Sequence, residues 1–126
     1  MFDEKKQIVY WKTTALDNLE TAEILFEKGK FRECLFFCHL TIEKLLKAHF
    51  VNTQKDFAPK VHELLYLLSK TNLKSNEDTK DFLGTINDFN LEGRYPENFL
   101  EIPNNNDVYI LLNKTKECVE WLVKLL

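Results

Sequence analysis

The segment from Phe31 to Phe50 constrains the fold more than any other part of this sequence. Apolar side chains recur along it every three or four residues, which is the spacing of one helix face. It predicts an amphipathic helix from about Phe31 to Asn52. The core stripe of this helix comprises Phe31, Cys34, Leu35, Cys38, Ile42, Leu45 and Leu46. Phe36 and Phe37 lie beside this stripe, which leaves two interpretations open: a central helix buried on most sides, or an apolar surface for another protein.

A second long helix is predicted immediately before it, from about Asp3 to Lys28. Its apolar residues also advance by three or four positions and fall on one face: Ile8, Trp11, Ala15, Leu19, Ala22 and Phe26. Gly29 fits the left-handed position that ends a helix. Two long helices joined by about two residues must be antiparallel neighbours.

Three more helical segments follow. A short third helix carries Val61, Leu64, Leu65 and Leu68. A fourth, capped by Ser75 or Asn76, holds Phe82, Leu83, Ile86 and Phe89. The segment 92–106 is predicted to be irregular. A last long helix opens near Asn106 or Asp107 and contains Val108, Leu111, Leu112, Thr115, Cys118, Val119 and Leu122. The sequence thus predicts an all-α, antiparallel up-and-down bundle of about five helices, three long and two short, with residues 1–126 as a single domain.

Composition narrows the function classes. The 126 residues are 44% hydrophobic and 29% charged, as in a globular protein, and the net charge is −3. A mildly acidic chain argues against broad binding to nucleic-acid phosphates, although a local anion site stays open. No apolar run approaches the roughly 20 residues that span a bilayer. We therefore expect a cytoplasmic protein with no membrane association.

The three cysteines are interpreted as buried free thiols that act as small hydrophobes. Cys34, Cys38 and Cys118 all fall at apolar helical positions. Cys34-x3-Cys38-His39 suggests a metal site only superficially, because zinc sites normally need a second ligand pair at suitable spacing. We expect no metal and no cofactor.

Several short motifs, in order along the chain, resemble the HEPN domain (higher eukaryotes and prokaryotes nucleotide-binding). The first helix carries Trp11-x3-Ala15-x3-Leu19-x2-Ala22, and the turn reads Gly29-Lys30-Phe31. The strongest element is Cys38-His39-Leu40-Thr41-Ile42-Glu43-Lys44-Leu45-Leu46-Lys47-Ala48, followed by His62-Glu63-Leu64-Leu65 and Arg94-Tyr95-Pro96. The resemblance covers nearly the whole chain. It implies a helical bundle with a nucleotide- or RNA-related function.

Some HEPN domains are metal-independent ribonucleases with an Arg-x(4–6)-His motif that serves acid–base and charge-stabilising roles. The equivalent arginine here is Arg94, but no histidine follows it anywhere in the sequence. Arg32 and His39 have six residues between them and share a helix face, yet they lie outside the region of the family motif. A partly buried His39 with a local hydrogen bond is the favoured interpretation, and a catalytic Arg32/His39 pair is the weaker alternative.

A group of polar residues is predicted to hold an anion such as a nucleotide phosphate. Lys44 and Lys47 project from one side of the second helix, His62 lies at the start of the third, Arg94 suits a bidentate phosphate, and Tyr95 suits base stacking. The alternative makes these residues structural. Glu43 and Lys47 then form an i,i+4 pair, His62 caps the third helix, and Arg94-Tyr95-Pro96 anchors a loop.

Three hypotheses for function follow. The favoured one is a non-catalytic nucleotide- or RNA-binding module, a homodimer acting with a minimal nucleotidyltransferase partner in a toxin–antitoxin-like pair, as the resemblance implies. The second is a ribonuclease with a displaced site drawn from Arg32, His39 or His62 with Arg94. The third is a scaffold whose aromatic surface binds another protein.

Overall fold

The computed structural model describes residues 1–90, 101 and 103–126, which form five α-helices and, within those ranges, no β-strand. The helices are α1 (Glu4–Glu27), α2 (Phe31–Gln54), α3 (Leu64–Ser69), α4 (Glu77–Asn87) and α5 (Asn105–Lys124). Three are long and two are short, which confirms the predicted all-α bundle. None of the described helices is both long and apolar enough to cross a membrane.

The turn between α1 and α2 is a Schellman motif that makes the two helices antiparallel. Gly29 has a φ of 74°, in the left-handed region. The backbone N–H of Lys30 donates to the carbonyl of Leu25 at 2.9 Å, and that of Gly29 donates to the carbonyl of Phe26 at 3.0 Å. These are the paired bonds that satisfy the free carbonyls of a helix end. The predicted role of Gly29 is confirmed.

Helix α2 lies at the centre of the bundle and contacts each of the other four helices. Thirteen of its residues are buried, whereas α1 buries only Ala15 and Ala22. The predicted α2 stripe from Cys34 to Leu46 is fully within the core, with Phe31 and Phe37 packed at its edge. The aromatic load of α2 therefore reflects, in large part, a helix that is covered on most sides.

Side-chain caps fix several helix starts. Asp3, Asn76 and Asn104 each accept a hydrogen bond from the backbone N–H three residues later. The predicted Asn76 cap is confirmed, and α5 begins at Asn105, close to the predicted position.

Helix α3 differs from its prediction. It begins at Leu64, so Val61 precedes it, and Leu65 is 42% exposed. Leu64, Leu67 and Leu68 form the buried side of this helix. A six-residue helix has room for little more than one apolar face.

All three cysteines are free and buried, as predicted. A hydrogen bond from the Cys34 thiol to Cys38, together with burial, raises the pKa of Cys34. Burial raises the pKa of Cys118 to about 12. These two thiols therefore remain protonated near neutral pH and serve as packing groups.

Candidate functional site

A stripe of ionisable side chains runs along the buried face of α2. His39, Glu43 and Lys47 follow one another at intervals of four residues, which stacks them on one side of the helix. Their exposed fractions are 0%, 4% and 5%. Burying a charged group without a partner is costly, so this stripe requires compensation from inside the protein.

Glu43 is the centre of that compensation. Its Oε2 accepts a hydrogen bond from Lys47 Nζ at 3.0 Å, and Nδ1 of His62 lies 3.1 Å from both carboxylate oxygens. Because a carboxylate oxygen accepts, Nδ1 of His62 carries the proton in this contact. One carboxylate thus binds an ammonium from its own helix and an imidazole from the segment before α3.

His39 completes the link between α2 and that segment. Its Nε2 donates to the backbone carbonyl of His62 at 3.0 Å. Its Nδ1 lies 3.6 Å from Glu43 Oε1 and has no hydrogen-bond partner among the described residues. Burial lowers the pKa of His39, which favours a neutral ring with its lone pair on Nδ1.

Trp11 of α1 also contacts Lys47. The Lys47 ammonium lies 5.3 Å from the centroid of the indole ring, within cation–π range. The Lys47 charge is therefore close to both a carboxylate and an aromatic ring. We refer to Trp11, His39, Glu43, Lys47 and His62 as the Glu43 cluster.

Asn87, at the end of α4, fixes the backbone next to His62. Its Oδ1 accepts a hydrogen bond from the Leu64 backbone N–H at 3.0 Å, and its Nδ2 donates to Glu63 Oε1 at 3.0 Å. Asn87 thus binds the first N–H of α3, the role that the structural alternative gave to His62. That part of the alternative is wrong, because the His62 ring is directed to Glu43 instead.

The predicted anion-site residues fall into three groups. Lys47 and His62 meet at Glu43, which confirms the i,i+4 pair of the structural alternative. Lys44 is half-buried beside α1, where burial lowers its pKa and the carboxylates of Glu43 and Asp17 oppose that effect. Arg94 and Tyr95 lie outside the described residues, so the five-residue site stays a prediction.

The Arg32/His39 pair of the weaker catalytic hypothesis lies on α2 and stays a prediction. Arg32 is in the first turn of α2, two turns before His39. The His39 ring is fully buried, and its hydrogen bond reaches His62, 23 residues away along the chain. His39 is thus a hydrogen-bonded core histidine, but the prediction of partial burial and a local partner is wrong, because His39 is fully buried and its partner lies on a distant segment.

Sequence reasoning named Glu43 only as a partner of Lys47 and gave no site role to Trp11 or Asn87. One signal was available for Glu43: His39-x3-Glu43-x3-Lys47 places three ionisable groups on a face that also carries Phe36 and Phe50. Such a stripe on a central helix indicates a buried polar cluster. No comparable signal marks Asn87, because its partners lie on a different helix.

The cluster can orient an imidazole. The Glu43 carboxylate lies between Lys47 and His62, and its bond to His62 fixes the orientation of the ring with a proton on Nδ1. The His62 side chain is 43% exposed, so the oriented ring borders the protein surface. No group of three potential metal ligands occurs among residues 1–90, 101 and 103–126.

Comparisons with known proteins bear on the fold and the family of this chain. The crystal structure of TT1696 from Thermus thermophilus superposes with a TM-score of 0.80 at 17% identity, covering 95% of this chain and 98% of that one. This likeness shows a shared fold. No curated protein sequence matches the chain. The family model of the HEPN domain matches residues 8–126. The chain therefore belongs to the HEPN domain family.

Proposed function

We propose that this chain is a non-catalytic HEPN module that binds a nucleotide or RNA beside His62. Family membership supports the nucleotide- or RNA-related part of this proposal. The further details proposed here are a homodimer, a minimal nucleotidyltransferase partner and a role in a toxin–antitoxin-like pair.

The observation that carries the non-catalytic assignment is the use of every histidine in structural hydrogen bonds. His39 binds the His62 carbonyl, His49 binds the Leu122 carbonyl at 2.8 Å, and His62 binds Glu43. No histidine follows Arg94 in the sequence. The acid–base group that the ribonuclease members place after their arginine is therefore lacking.

The position of His62 supports a ligand site at this edge of the bundle. His62 is oriented, half-exposed and next to the α3 start that Asn87 holds. A joint contribution of His62 and Arg94 to binding one phosphate is part of this proposal, because a guanidinium suits a bidentate phosphate.

Four exposed apolar side chains on α1 support the homodimer. Val9, Tyr10, Leu16 and Ile24 are each between 39% and 62% exposed. At 100° per residue their side chains fall within an arc of about 120° on the outer face of α1. Exposed Thr13, Asp17 and Glu20 lie on the same arc, so this face combines apolar and polar groups, as a self-complementary two-fold interface can.

Ligand-induced thermal stabilisation tests the binding proposal. ATP, GTP, other nucleotides and short RNA are each added to wild type, Arg94→Ala and Lys74→Ala. Lys74→Ala is the matched control, since it removes one exposed positive charge from the loop before α4. A ligand that binds only the folded state adds about 2.7 kcal/mol at a hundredfold excess over its dissociation constant. We expect a shift in wild type and Lys74→Ala that Arg94→Ala loses; no shift with any ligand would contradict the proposal.

Sedimentation and affinity purification test the assembly. We expect a dimer that Leu16→Asp converts to a monomer, because a buried carboxylate opposes association at an apolar interface. Purification from source cells should retain a nucleotidyltransferase-type protein, a nucleotide or RNA. A wild-type monomer that retains none of them counts against this assembly.

The Glu43–His62 contact favours one alternative, a ribonuclease with a displaced site. A carboxylate that orients an imidazole is an arrangement that supports proton transfer. The test is cleavage of single-stranded RNA by pure protein. Cleavage lost in both His62→Ala and Arg94→Ala, but kept in Lys74→Ala, would replace the non-catalytic proposal. The scaffold alternative gains weight if neither ligand nor cleavage is found.

A further inference from the structure

A groove separates α4 from the second half of α5 and has no part in the Glu43 cluster. It encloses about 640 Å³, within the usual range for ligand sites. Phe82, Leu111 and Trp121 line its floor. Phe82 is buried, while Leu111 and Trp121 are half-buried and packed against the core. The groove therefore presents apolar surface, mainly from Leu111 and Trp121, against the core.

The rim of this groove is acidic. Asp78 and Asp81 project from α4 and Glu117 from α5, and all three are exposed. None of them makes an ion pair within the described part of the chain. Lys114 is the one cation among the described lining residues, so three carboxylates face one ammonium. This arrangement repels nucleic-acid phosphates and attracts a cationic partner.

We propose that this acidic groove is a docking site for a basic amphipathic helix of a protein partner. Two helices form its walls, which is the setting in which a third helix lays apolar anchors at positions i, i+3/i+4 and i+7 into a groove. Its apolar residues pack on Trp121 and Phe82. Its lysines or arginines flank them and pair with Asp81 and Glu117. This inference goes beyond the nucleotide-binding proposal, because the groove shares no residue with the Glu43 cluster.

The test uses a designed, fluorescein-labelled basic helical peptide with leucine anchors, followed by fluorescence anisotropy. The test variant is Asp81→Lys with Glu117→Lys. The matched control is Glu20→Lys with Glu120→Lys, which changes net charge equally at exposed sites outside the groove. We expect binding to wild type and control, and about tenfold weaker binding to the groove variant. Added salt should weaken binding to wild type by screening.

A charge exchange makes the test specific. A second peptide carries glutamate in place of each lysine and keeps its leucine anchors. We expect it to bind the Asp81→Lys, Glu117→Lys protein better than wild type. Equal affinity of the basic peptide for the groove variant and the control would overturn the proposal, as would no binding at about 1 mM peptide, the millimolar limit of specific recognition.

Other occupants give different results. A wild-type dimer that the groove variant dissociates identifies a second copy of the chain and overturns the partner assignment. Binding of spermidine without the peptide identifies a small organic cation and also overturns it. Thermal midpoints of both double variants confirm that they fold. The nucleotide-induced shift in the thermal midpoint is also measured for the groove variant. Loss of peptide binding with this shift retained shows that the groove and the proposed nucleotide site are independent.

Discussion

Helices α1 and α2 are equally long but differ sharply in their environment. Each has 24 residues, and they pack side by side in opposite directions. Helix α1 buries two residues and leaves one side to solvent, while α2 buries thirteen, among them His39, Glu43 and Lys47. An amphipathic pattern alone therefore does not define how much of a helix is buried. The number of helices that pack against it decides this, and α2 packs against all four others.

This difference in burial determines which helix can hold polar side chains in a fixed geometry. An exposed polar side chain on α1 is solvated, so its geometry is loosely fixed. A polar side chain on α2 must find partners within the protein, and those partners fix its geometry. The Glu43 cluster is the result of that requirement. Trp11 shows how α1 contributes: it supplies one half-buried ring to a site that α2 organises.

Removing Glu43 should produce the largest loss of stability. We expect Glu43→Ala to cost about 3–5 kcal/mol, because it leaves the Lys47 ammonium buried without its counter-charge. The α1 control Glu20→Ala removes an exposed carboxylate and should stay within about 0.5 kcal/mol of wild type. Urea unfolding measures both free energies.

A double variant sharpens this prediction. Glu43→Leu with Lys47→Met removes both charges and should recover most of the loss, since a buried ion pair is often replaceable by apolar residues. If Glu43→Ala lowers the free energy of unfolding no more than Glu20→Ala does, then the buried Lys47 charge does not need Glu43 for stability.

Truncating matched leucines compares the two helices directly. Leu45→Ala on α2 should cost about 2–5 kcal/mol, because the side chain is fully buried and leaves a cavity. Leu16→Ala on α1 removes a side chain that is 39% exposed and should cost less than about 1 kcal/mol in the monomer. Urea midpoints at low protein concentration report the difference, and equal losses would contradict the contrast between the helices.

Acid should weaken the fold through the histidines of α2. Burial lowers the pKa of His39 and of His49 below the ordinary value of 6.5. The unfolded chain then binds more protons than the folded one as pH falls below about 6.5, so the free energy of unfolding decreases toward the folded-state pKa values. His49→Gln keeps a donor for the Leu122 carbonyl but cannot titrate. Its unfolding free energy should fall less steeply with pH than that of wild type. An unchanged slope would show that His49 does not contribute.

The turn that joins the two helices should give the smallest effect. Gly29 has a left-handed φ of 74°, and an added Cβ would meet no atom within 4 Å. Gly29→Ala therefore introduces backbone strain alone, which we expect to cost about 1 kcal/mol. Lys28→Ala, one residue earlier at a negative φ, is the control and should be nearly neutral. Thermal or urea unfolding distinguishes the two variants.

Much of the fold was predictable because its signals are local. The periods of α1 and α2, the Gly29 stop and the Asn76 cap each depend on a few neighbouring residues, and all were confirmed. Helix α3 was less accurately predicted. Six residues contain too few turns to define a face. The sequence therefore predicts Leu65 on the apolar side of this helix, although the side chain is exposed.

The candidate site was predicted only in part, since its contacts join distant segments. The sequence predicts Lys47 and His62 as anion-binding residues, but it predicts only a structural pairing with Lys47 for their common partner Glu43. The bonds from Asn87 to Glu63 and Leu64 connect positions about 24 residues apart, and no local pattern encodes them. The acidic groove also went unnoticed, because Asp81 and Glu117 lie on different helices.

By itself, the sequence determined an all-α bundle, its order of helices and its membership of the HEPN family, because apolar periodicity and short motifs are properties of single segments. The tertiary structure alone decided that α2 would be central and that Glu43 would bind both Lys47 and His62. It also decided which carboxylates would surround a groove. Those features depend on which helices pack together, and packing sums many weak contacts across the whole chain.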